Sequence, residues 1–477
     1  MQVGAARGQV AGLAVSGRGV LPLAAVLLVA LLLRVPLLGG GQIDYDEGVY
    51  WESLRALAAG HPLFTSVYSS QPPAFLLLLL PGHLALSGGI AGERLTVLVL
   101  ALVGIVAVYR TGELLGGARA GLAAAAVLAA DPIYCRQSIT LQADGPAIAL
   151  GLAAVALAAE ARRRPEGTAR DVLAGGAGAV LALATLTKLL ALTAAPPVAL
   201  LLVTGPGRPR LRPLVAAAAG GGVAAAALLL PFLGGWAALW RQAVGFHLGA
   251  RGLALGGVES TSRWRELVPL LLGLAGLAVA VRRAPLLALT GAVWTLAAGV
   301  VLWLQHPLWS HHLVALAAPM ALLAGGLALA VPARLPAPAV AGTAAAAAVA
   351  FVAASLASAQ TVRDAEIPPA SVQPSVDALA ATTGPGDLVV TDDQFAAALA
   401  GRDTPPELVD TSQVRVSTGD LTAADVEARA ARPDVRAVLM ATGRLAGLPG
   451  FQAWTAAHFP ASRDLGGGRI LYYRPSG

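Results

Sequence analysis

Eleven runs of mostly apolar residues, each long enough to cross a bilayer as a helix, dominate this chain and rule out most soluble folds. They lie at about 20 to 38, 95 to 111, 119 to 134, 145 to 161, 172 to 187, 189 to 204, 213 to 234, 267 to 281, 285 to 304, 312 to 331 and 336 to 358. With 56% of 477 residues hydrophobic, 13% charged and a mean hydropathy of +0.70, the composition is that of a membrane protein. The abundance of Ala, Gly and Leu suits helices that pack closely in lipid. The fold class expected is an all-α polytopic membrane protein of about eleven transmembrane helices, followed by a small C-terminal α/β domain.

Arginine placement sets the orientation. Arg7 and Arg18 precede the first run, so residues 1–19 are expected in the cytoplasm and the run is expected to be an uncleaved anchor. The stretch from Ala74 to Ile90 is apolar but interrupted by Pro81, Gly82 and His83. If it does not span, Arg110, Arg119, Arg162 to Arg164, Arg170, Arg208, Arg210, Arg212, Arg282, Arg283 and Arg334 all fall on the cytoplasmic side. We therefore read 40–94 as one large external loop ending in an interfacial or re-entrant helix, with 235–266 as a second external loop. The transmembrane domain then covers 20–358, and 359–477 is an extracytoplasmic domain of a multi-pass plasma-membrane protein. Cys135 is the sole cysteine, which excludes an internal disulfide and a cysteine metal cluster. The net charge of +6 does not point to nucleic acid, because the arginines stand in short clusters between apolar runs and not along one face.

After about Ala359 acidic residues return. Leu388 to Thr391, Ala437 to Ala441 and Arg469 to Tyr473 read as strands, and Val372 to Thr382 and Ala423 to Ala431 as helices, the latter capped by Thr422. A domain of this size is expected to fold by itself. Asp392 and Asp393, at a strand end, are read as turn residues.

The chemistry-bearing stretch is Ile43-Asp44-Tyr45-Asp46-Glu47-Gly48-Val49-Tyr50-Trp51-Glu52, directly after the first apolar run. Carboxylates are costly inside lipid, so the cluster belongs in a watery site facing the membrane surface; the plainer alternative is a solvated loop with helix-capping acids. Asp144 begins a later run before Gly145-Pro146 and could equally cap that helix. Lys188, Arg136, Arg241, Arg251, Arg263 and Arg265 are external cations suited to a phosphate, with Trp236, Trp240 and Trp264 beside them. Ordinary anchoring to anionic headgroups is the alternative. His311 and His312 are adjacent, hence expected on different helix faces, and read first as a polar start to a span.

Asp44-Tyr45-Asp46-Glu47-Gly48, followed by Tyr50, Glu52 and Ser70-Gln71-Pro72-Pro73, resembles the first external loop of GT-C glycosyltransferases that use polyprenyl-phosphate sugars: protein O-mannosyltransferases, bacterial aminoarabinose transferases and related families. Leu141-Gln142-Ala143-Asp144-Gly145-Pro146 is similar to the motif of their second external loop, and Leu186-Thr187-Lys188 is a third match. The tail from Gly386 to Ser412 resembles external tails of actinobacterial relatives. Where family members often carry a lysine before Pro-Pro, this chain has Gln71.

The resemblance implies an inverting membrane glycosyltransferase with Asp46 as general base and Glu47 and Asp144 as further catalytic acids. Asp44, Tyr50, Gln71, Arg136, Lys188, Arg241, Arg251, Arg263, Arg265 and His311 are then the expected substrate-binding residues. The resemblance makes no cofactor certain; a divalent metal ion could be shared by Asp46, Glu47 and Asp144. The partners implied are a polyprenyl-phosphate-linked sugar, the lipid bilayer and an extracytoplasmic acceptor. A transporter or lipid flippase, and a non-catalytic cell-wall assembly factor, are the competing readings; the acids gather outside and no internal repeat is visible, which disfavours transport. Reporter fusions after Leu38, at Ala91 and after Ser358 are expected to be extracytoplasmic, and fusions near Arg163 and Arg210 cytoplasmic. A cytoplasmic signal at Ala91 would overturn this topology.

Overall fold

The computed structural model describes residues 17–86, 89–204, 211–253, 255–256, 263–332 and 336–475. Every apolar run is helical. The first helices are α1 (Gly17–Arg34), α2 (Asp46–Ala58), α3 (Ala74–Leu86), α4 (Ile90–Gly116), α5 (Ala118–Ala130), α6 (Pro132–Gln137), α7 (Asp144–Arg163), α8 (Thr168–Thr187), α9 (Ala195–Val203) and α10 (Arg212–Leu229). Helices Arg263–Arg283, Pro285–Leu304, Val314–Ala324 and Ala337–Ala365 complete the bundle.

Among the described residues, eight helical stretches are long and apolar enough to cross a membrane, and three apolar ones are shorter: α3, α5 and Leu189–Val203. The run expected at 119 to 134 is divided because Asp131 caps α6, accepting the Tyr134 N–H at 2.7 Å, with Pro132 at the first helical position. The run expected at 189 to 204 opens with the tight turn Leu189–Ala194 before α9. Helix α3 has 13 residues, a rise of about 20 Å against a hydrocarbon thickness of about 30 Å.

The bundle core is rich in alanine, including Ala120, Ala124, Ala154, Ala158, Ala174 and Ala177. Small side chains let helix axes approach and replace the hydrophobic drive that lipid cannot supply. Arginines gather at the end of the bundle where α4 and α7 finish: Arg110 pairs with Glu160 at 2.7 Å, and Arg163 donates to the Leu114 carbonyl at 3.0 Å.

The opposite end carries the long first loop, which is tied down by one buried ion pair. Glu47 Oε1 accepts Arg94 Nε at 2.8 Å and the Leu141 N–H at 2.9 Å, while Oε2 accepts Arg94 Nη2 at 2.7 Å and the Ile43 N–H at 2.7 Å. Arg94 also donates to the carbonyls of Leu38, Gly40 and Gly41, so both buried charges are bonded on every side. This corrects the expectation that Glu47 is catalytic or a metal ligand. Its oxygens are consumed in holding the loop.

The C-terminal domain is a four-stranded sheet, β1 (Leu388–Thr391), β2 (Val435–Met440), β3 (Ala461–Gly466) and β4 (Arg469–Tyr473), in the order β1-β2-β4-β3. Strands β1 and β2 are parallel and the other pairs antiparallel. Strand β3 has no sequence signal because it is an exposed edge, Ala-Ser-Arg-Asp-Leu-Gly, with no apolar alternation. Thr422 caps its helix in a reciprocal box with Asp425. Asp392 accepts the Ala441 N–H at 2.7 Å and Asp393 caps Gln394–Leu399, both structural as expected.

The domain is docked on α2. A side chain at Gly48 would collide with the backbone of Phe395, so the glycine permits contact between α2 and Gln394–Leu399. Trp51 meets Phe395 edge-on at 5.7 Å, Glu52 accepts the Thr404 N–H at 2.7 Å, and Arg55 pairs with Asp403 at 2.6 Å. Phe395, Ala398 and Val409 share one core with Tyr50, Trp51 and Leu54, so the domain has cores of its own and lends residues to another.

Replacing Arg94 by Leu leaves Glu47 buried without a counter-charge and is expected to cost about 3–5 kcal/mol of stability. Thermal unfolding in detergent micelles checks this. The double variant Glu47→Leu/Arg94→Leu should recover part of the loss.

Candidate active site

Four segments meet at the loop end of the bundle: the start of α2, the start of α7, the residue after α8, and the turn Ser310–Leu313 that opens Val314–Ala324. Lys188 ends α8 in an extended conformation and turns its side chain inward, placing Nζ 2.6 Å from Asp144 Oδ2. Asp144 therefore does not cap α7. Its carboxylate makes no capping bond, and its buried Oδ1 has no hydrogen-bond partner among the described residues.

Asp44 and Asp46 come from the turn into α2, where Asp44 Oδ1 accepts the Asp46 N–H at 3.2 Å. Asp44 Oδ2 lies 3.5 Å from Arg136 Nη2 and 3.8 Å from His311 Nδ1. Asp46 Oδ2 accepts Gln142 Nε2 at 3.2 Å, and the same amide lies 3.4 Å from His311 Nδ1. Gln142 thus joins the acid to the imidazole. It stands two residues before Asp144 in the second motif, and that spacing is the signal that marks it.

Burial sets the electrostatics. It pushes the Asp46 carboxyl up to about 6, reinforced by the neighbouring Asp44 charge and only partly opposed by His311 and Lys188. Burial also works against the Asp44 charge, yet His311 and Arg136 outweigh it and hold that carboxyl below its usual value. Burial, followed by the carboxylates of Asp46 and Asp144, raises the Tyr50 hydroxyl and keeps it protonated. The two aspartates are shifted in opposite directions, Asp44 towards its charged form and Asp46 towards its protonated form.

His311 and His312 do not diverge as expected of neighbours on an α-helix. They lie in a tighter turn, edge-to-face at 4.4 Å, and one ligand atom from each lies within 4.8 Å of the other and of an Asp144 oxygen. Trp309 donates its N–H to His312 Nδ1 at 3.2 Å, which leaves Nε2 for a ligand. One carboxylate oxygen and two imidazole nitrogens suit a divalent ion such as zinc, and the unpartnered Asp144 Oδ1 fits such a role. The expected ligand set of Asp46, Glu47 and Asp144 is corrected accordingly: among the described residues the donors brought together are Asp144, His311 and His312.

Other expected residues divide. Tyr50 is buried against Phe75 at 4.8 Å, next to the acids. Gln71 is buried with its backbone held by Ser69 Oγ at 3.3 Å, and no hydrogen bond among the described residues links its side chain to the carboxylates. Arg241 and Arg251, in the basic loop, are exposed and, among the described residues, make no ion pair with the acids. The side chains of Arg263 and Arg265 lie outside the described residues. That loop instead braces the first one, through Gln242 on Ser69 and Phe64 at 2.9 Å and His247 on the Ser70 carbonyl at 2.8 Å.

Residues 70–234 match the family described as dolichyl-phosphate-mannose-protein mannosyltransferase. The structure superposes on ArnT from Cupriavidus metallidurans bound to undecaprenyl phosphate, with a TM-score of 0.66 and 17% identity over 96% of this chain and 98% of that one. The chain has the GT-C fold. Two larger proteins share this GT-C architecture. They are the oligosaccharyltransferase AglB from Archaeoglobus fulgidus in complex with an inhibitory peptide and a dolichol-phosphate (TM-score 0.55, 15% identity, 92% of this chain and 71% of that chain) and arabinofuranosyltransferase AftD from Mycobacteria (TM-score 0.53, 17% identity, 92% and 37%). No curated protein matches the chain in sequence. At the level of the fold, the resemblance drawn from the Asp44–Gly48 and Leu141–Pro146 motifs holds.

A carboxyl near 6, as at Asp46, is ionised above that pH and protonated below it. If Asp46 takes the proton, kcat/KM is expected to fall as pH drops through about 6, and Asp46→Asn should abolish that limb of the profile.

Proposed function

We propose that this protein is a membrane glycosyltransferase that moves a monosaccharide from a polyprenyl-phosphate donor to an acceptor in the cell envelope, with Asp46 as general base. The observation that carries the reading is the division of one buried site into a base, Asp46, and a cationic side, Lys188, Arg136 and His311, held together by Asp44, Gln142 and Asp144. The GT-C fold and the undecaprenyl phosphate and dolichol-phosphate held by two of its neighbours support the donor class.

In the reaction Asp46 accepts the proton of the acceptor group, which attacks the anomeric carbon from the face opposite the phosphate. The carbon–oxygen bond to phosphate breaks, and the phosphate departs with the bonding pair. Lys188 and Arg136 balance the growing negative charge in a site from which burial removes water's screening. Phosphate leaves without a proton donor, so a single base suffices. A divalent ion held by Asp144, His311 and His312 would add positive charge for the same phosphate. Transport is the poorer reading, because the ionisable groups stand at the end of the bundle, at the first residue of α7 and the residue after α8, and not along a path through its middle.

The arginine clusters at the far end of the bundle support a cytoplasmic placement of that end and an extracytoplasmic site beneath the C-terminal sheet.

Asp46→Asn keeps the side-chain shape and the Gln142 contact but removes the base. It is expected to lower transfer from a radiolabelled polyprenyl-phosphate sugar by about 10² to 10⁴, with insertion and thermal unfolding unchanged. Wild-type turnover in the purified variant would defeat the assignment. Asp144→Asn should also lower transfer, through loss of the Lys188 partner.

A further inference from the structure

The C-terminal domain grips the turn that carries the two site aspartates. Its segment from Asp403 to Ser412 lies as a strap across α2, with Thr404 bonded to Glu52 and Asp403 paired to Arg55 well along the helix. At the start of the helix the contact falls on Tyr45, which stands between Asp44 and Asp46 at the N-cap position of α2. Tyr45 Oη accepts the Thr411 N–H at 3.2 Å and lies 3.4 Å from Thr411 Oγ1, and the Arg444 guanidinium carbon stands 3.8 Å from the centre of the Tyr45 ring.

Both contacts are rooted in the sheet. Thr411 is buried, and its Oγ1 donates to the carbonyl of Thr391, the last residue of β1, at 3.2 Å and accepts Gln394 Nε2 at 2.9 Å. Arg444 donates through Nη1 to the Asp392 carbonyl at 3.3 Å and to Thr442 Oγ1 at 3.2 Å. The Asp392 carboxylate in turn accepts the N–H groups of Ala441 and Leu445, just after β2, at 2.7 and 3.1 Å. The carboxyl ends of parallel strands are where α/β sheets present their binding loops, and here those loops hold Tyr45. On the bundle side the turn is held more loosely. The Asp46 carboxylate has one hydrogen bond among the described residues, from Gln142 at 3.2 Å, and Asp44 lies 3.5 Å from Arg136 and 3.8 Å from His311.

We propose that Tyr45 and Arg444 are positioning residues: the Tyr45 side chain, clamped between Thr411 and Arg444, holds the Asp44–Asp46 turn so that the Asp46 carboxylate stands at bonding distance from the acceptor proton. The inference rests on the glycosyltransferase reading and gives the C-terminal domain a part in turnover beyond its docking. The clamp combines a hydrogen bond with the attraction of a cation to an aromatic face. Loss of either loosens the turn and leaves every carboxylate of the site in place.

The test uses the full-length protein in detergent micelles, with a radiolabelled polyprenyl-phosphate sugar as donor and, as acceptor, envelope membranes from a strain lacking the gene. Tyr45→Leu removes both contacts. Arg444→Ala removes the cation from a partly exposed position, which keeps the test sound where Tyr45→Leu fails to fold, and Arg444→Lys restores a cation over the ring. A misplacement of about 1 Å costs up to about a hundredfold in rate, so Tyr45→Leu and Arg444→Ala are expected to lower kcat, per folded protein by gel filtration, by about tenfold to a hundredfold. Donor KM should stay close to the wild-type value, and Arg444→Lys should recover most of the loss. Asp403→Ala cuts the outer ion pair of the strap and controls for docking as such; it should keep the wild-type kcat. An unchanged kcat in Arg444→Ala overturns the inference, as does an equal loss in Asp403→Ala or a loss that falls on donor KM instead of kcat. Absence of transfer by the wild-type protein overturns the glycosyltransferase reading itself.

Discussion

The buried pair of Glu47 and Arg94 is the constraint on which the site depends. Two charges without solvent exposure persist only when every oxygen and N–H is bonded, and here the bonds run to four separate parts of the chain: the end of the first helix, the turn at Ile43, the start of α4 and the backbone of Leu141. Asp44 and Asp46 sit between two of those anchors, and Gln142 and Asp144 follow a third. The pair therefore fixes the distance between the first and second loops, and with it the distance from Asp46 to its amide and imidazole neighbours. A hydrophobic substitute of equal volume could fill the space, but could not tie the Ile43 and Leu141 N–H groups.

Around that anchor the site is built as a contrast. Asp44 has Arg136 and His311 close by and is held below its usual value, whereas at Asp46 burial and the Asp44 charge outweigh the pull of His311 and Lys188, so its carboxyl rises. The same low-dielectric surroundings strengthen the pull of Lys188 on Asp144. Acid and cation are separated across a few ångströms, which suits a reaction that takes a proton on one side and releases a phosphate on the other.

The C-terminal domain completes the enclosure. Gly48 lets Gln394–Leu399 approach α2, Phe395 enters the apolar core of the loop, and Glu52 and Arg55 bind the strap. Desolvation of Tyr45, Tyr50 and Asp46 follows from this docking as much as from the membrane bundle.

Much of this was legible in the chain. Apolar runs of sufficient length must be helical in lipid, so their order followed from the sequence, whereas their number did not: eleven spans were expected and eight helical stretches among the described residues are long and apolar enough. The motifs around Asp46, Asp144 and Lys188 named three groups that do converge. Strands β1 and β4 were readable because alternating or continuous apolar residues face a core, whereas the polar edge strand β3 was not. Sequence could not separate Glu47 from Asp46, since adjacent acids look alike until the fold decides which one meets Arg94. Nor could it bring His312 next to Asp144, which depends on a tight turn at Ser310–Leu313. Local residue pattern determined the elements and the types of group available; which charges are desolvated, paired or left free was decided by packing between segments distant in the chain, because burial and distance exist only once the elements are assembled.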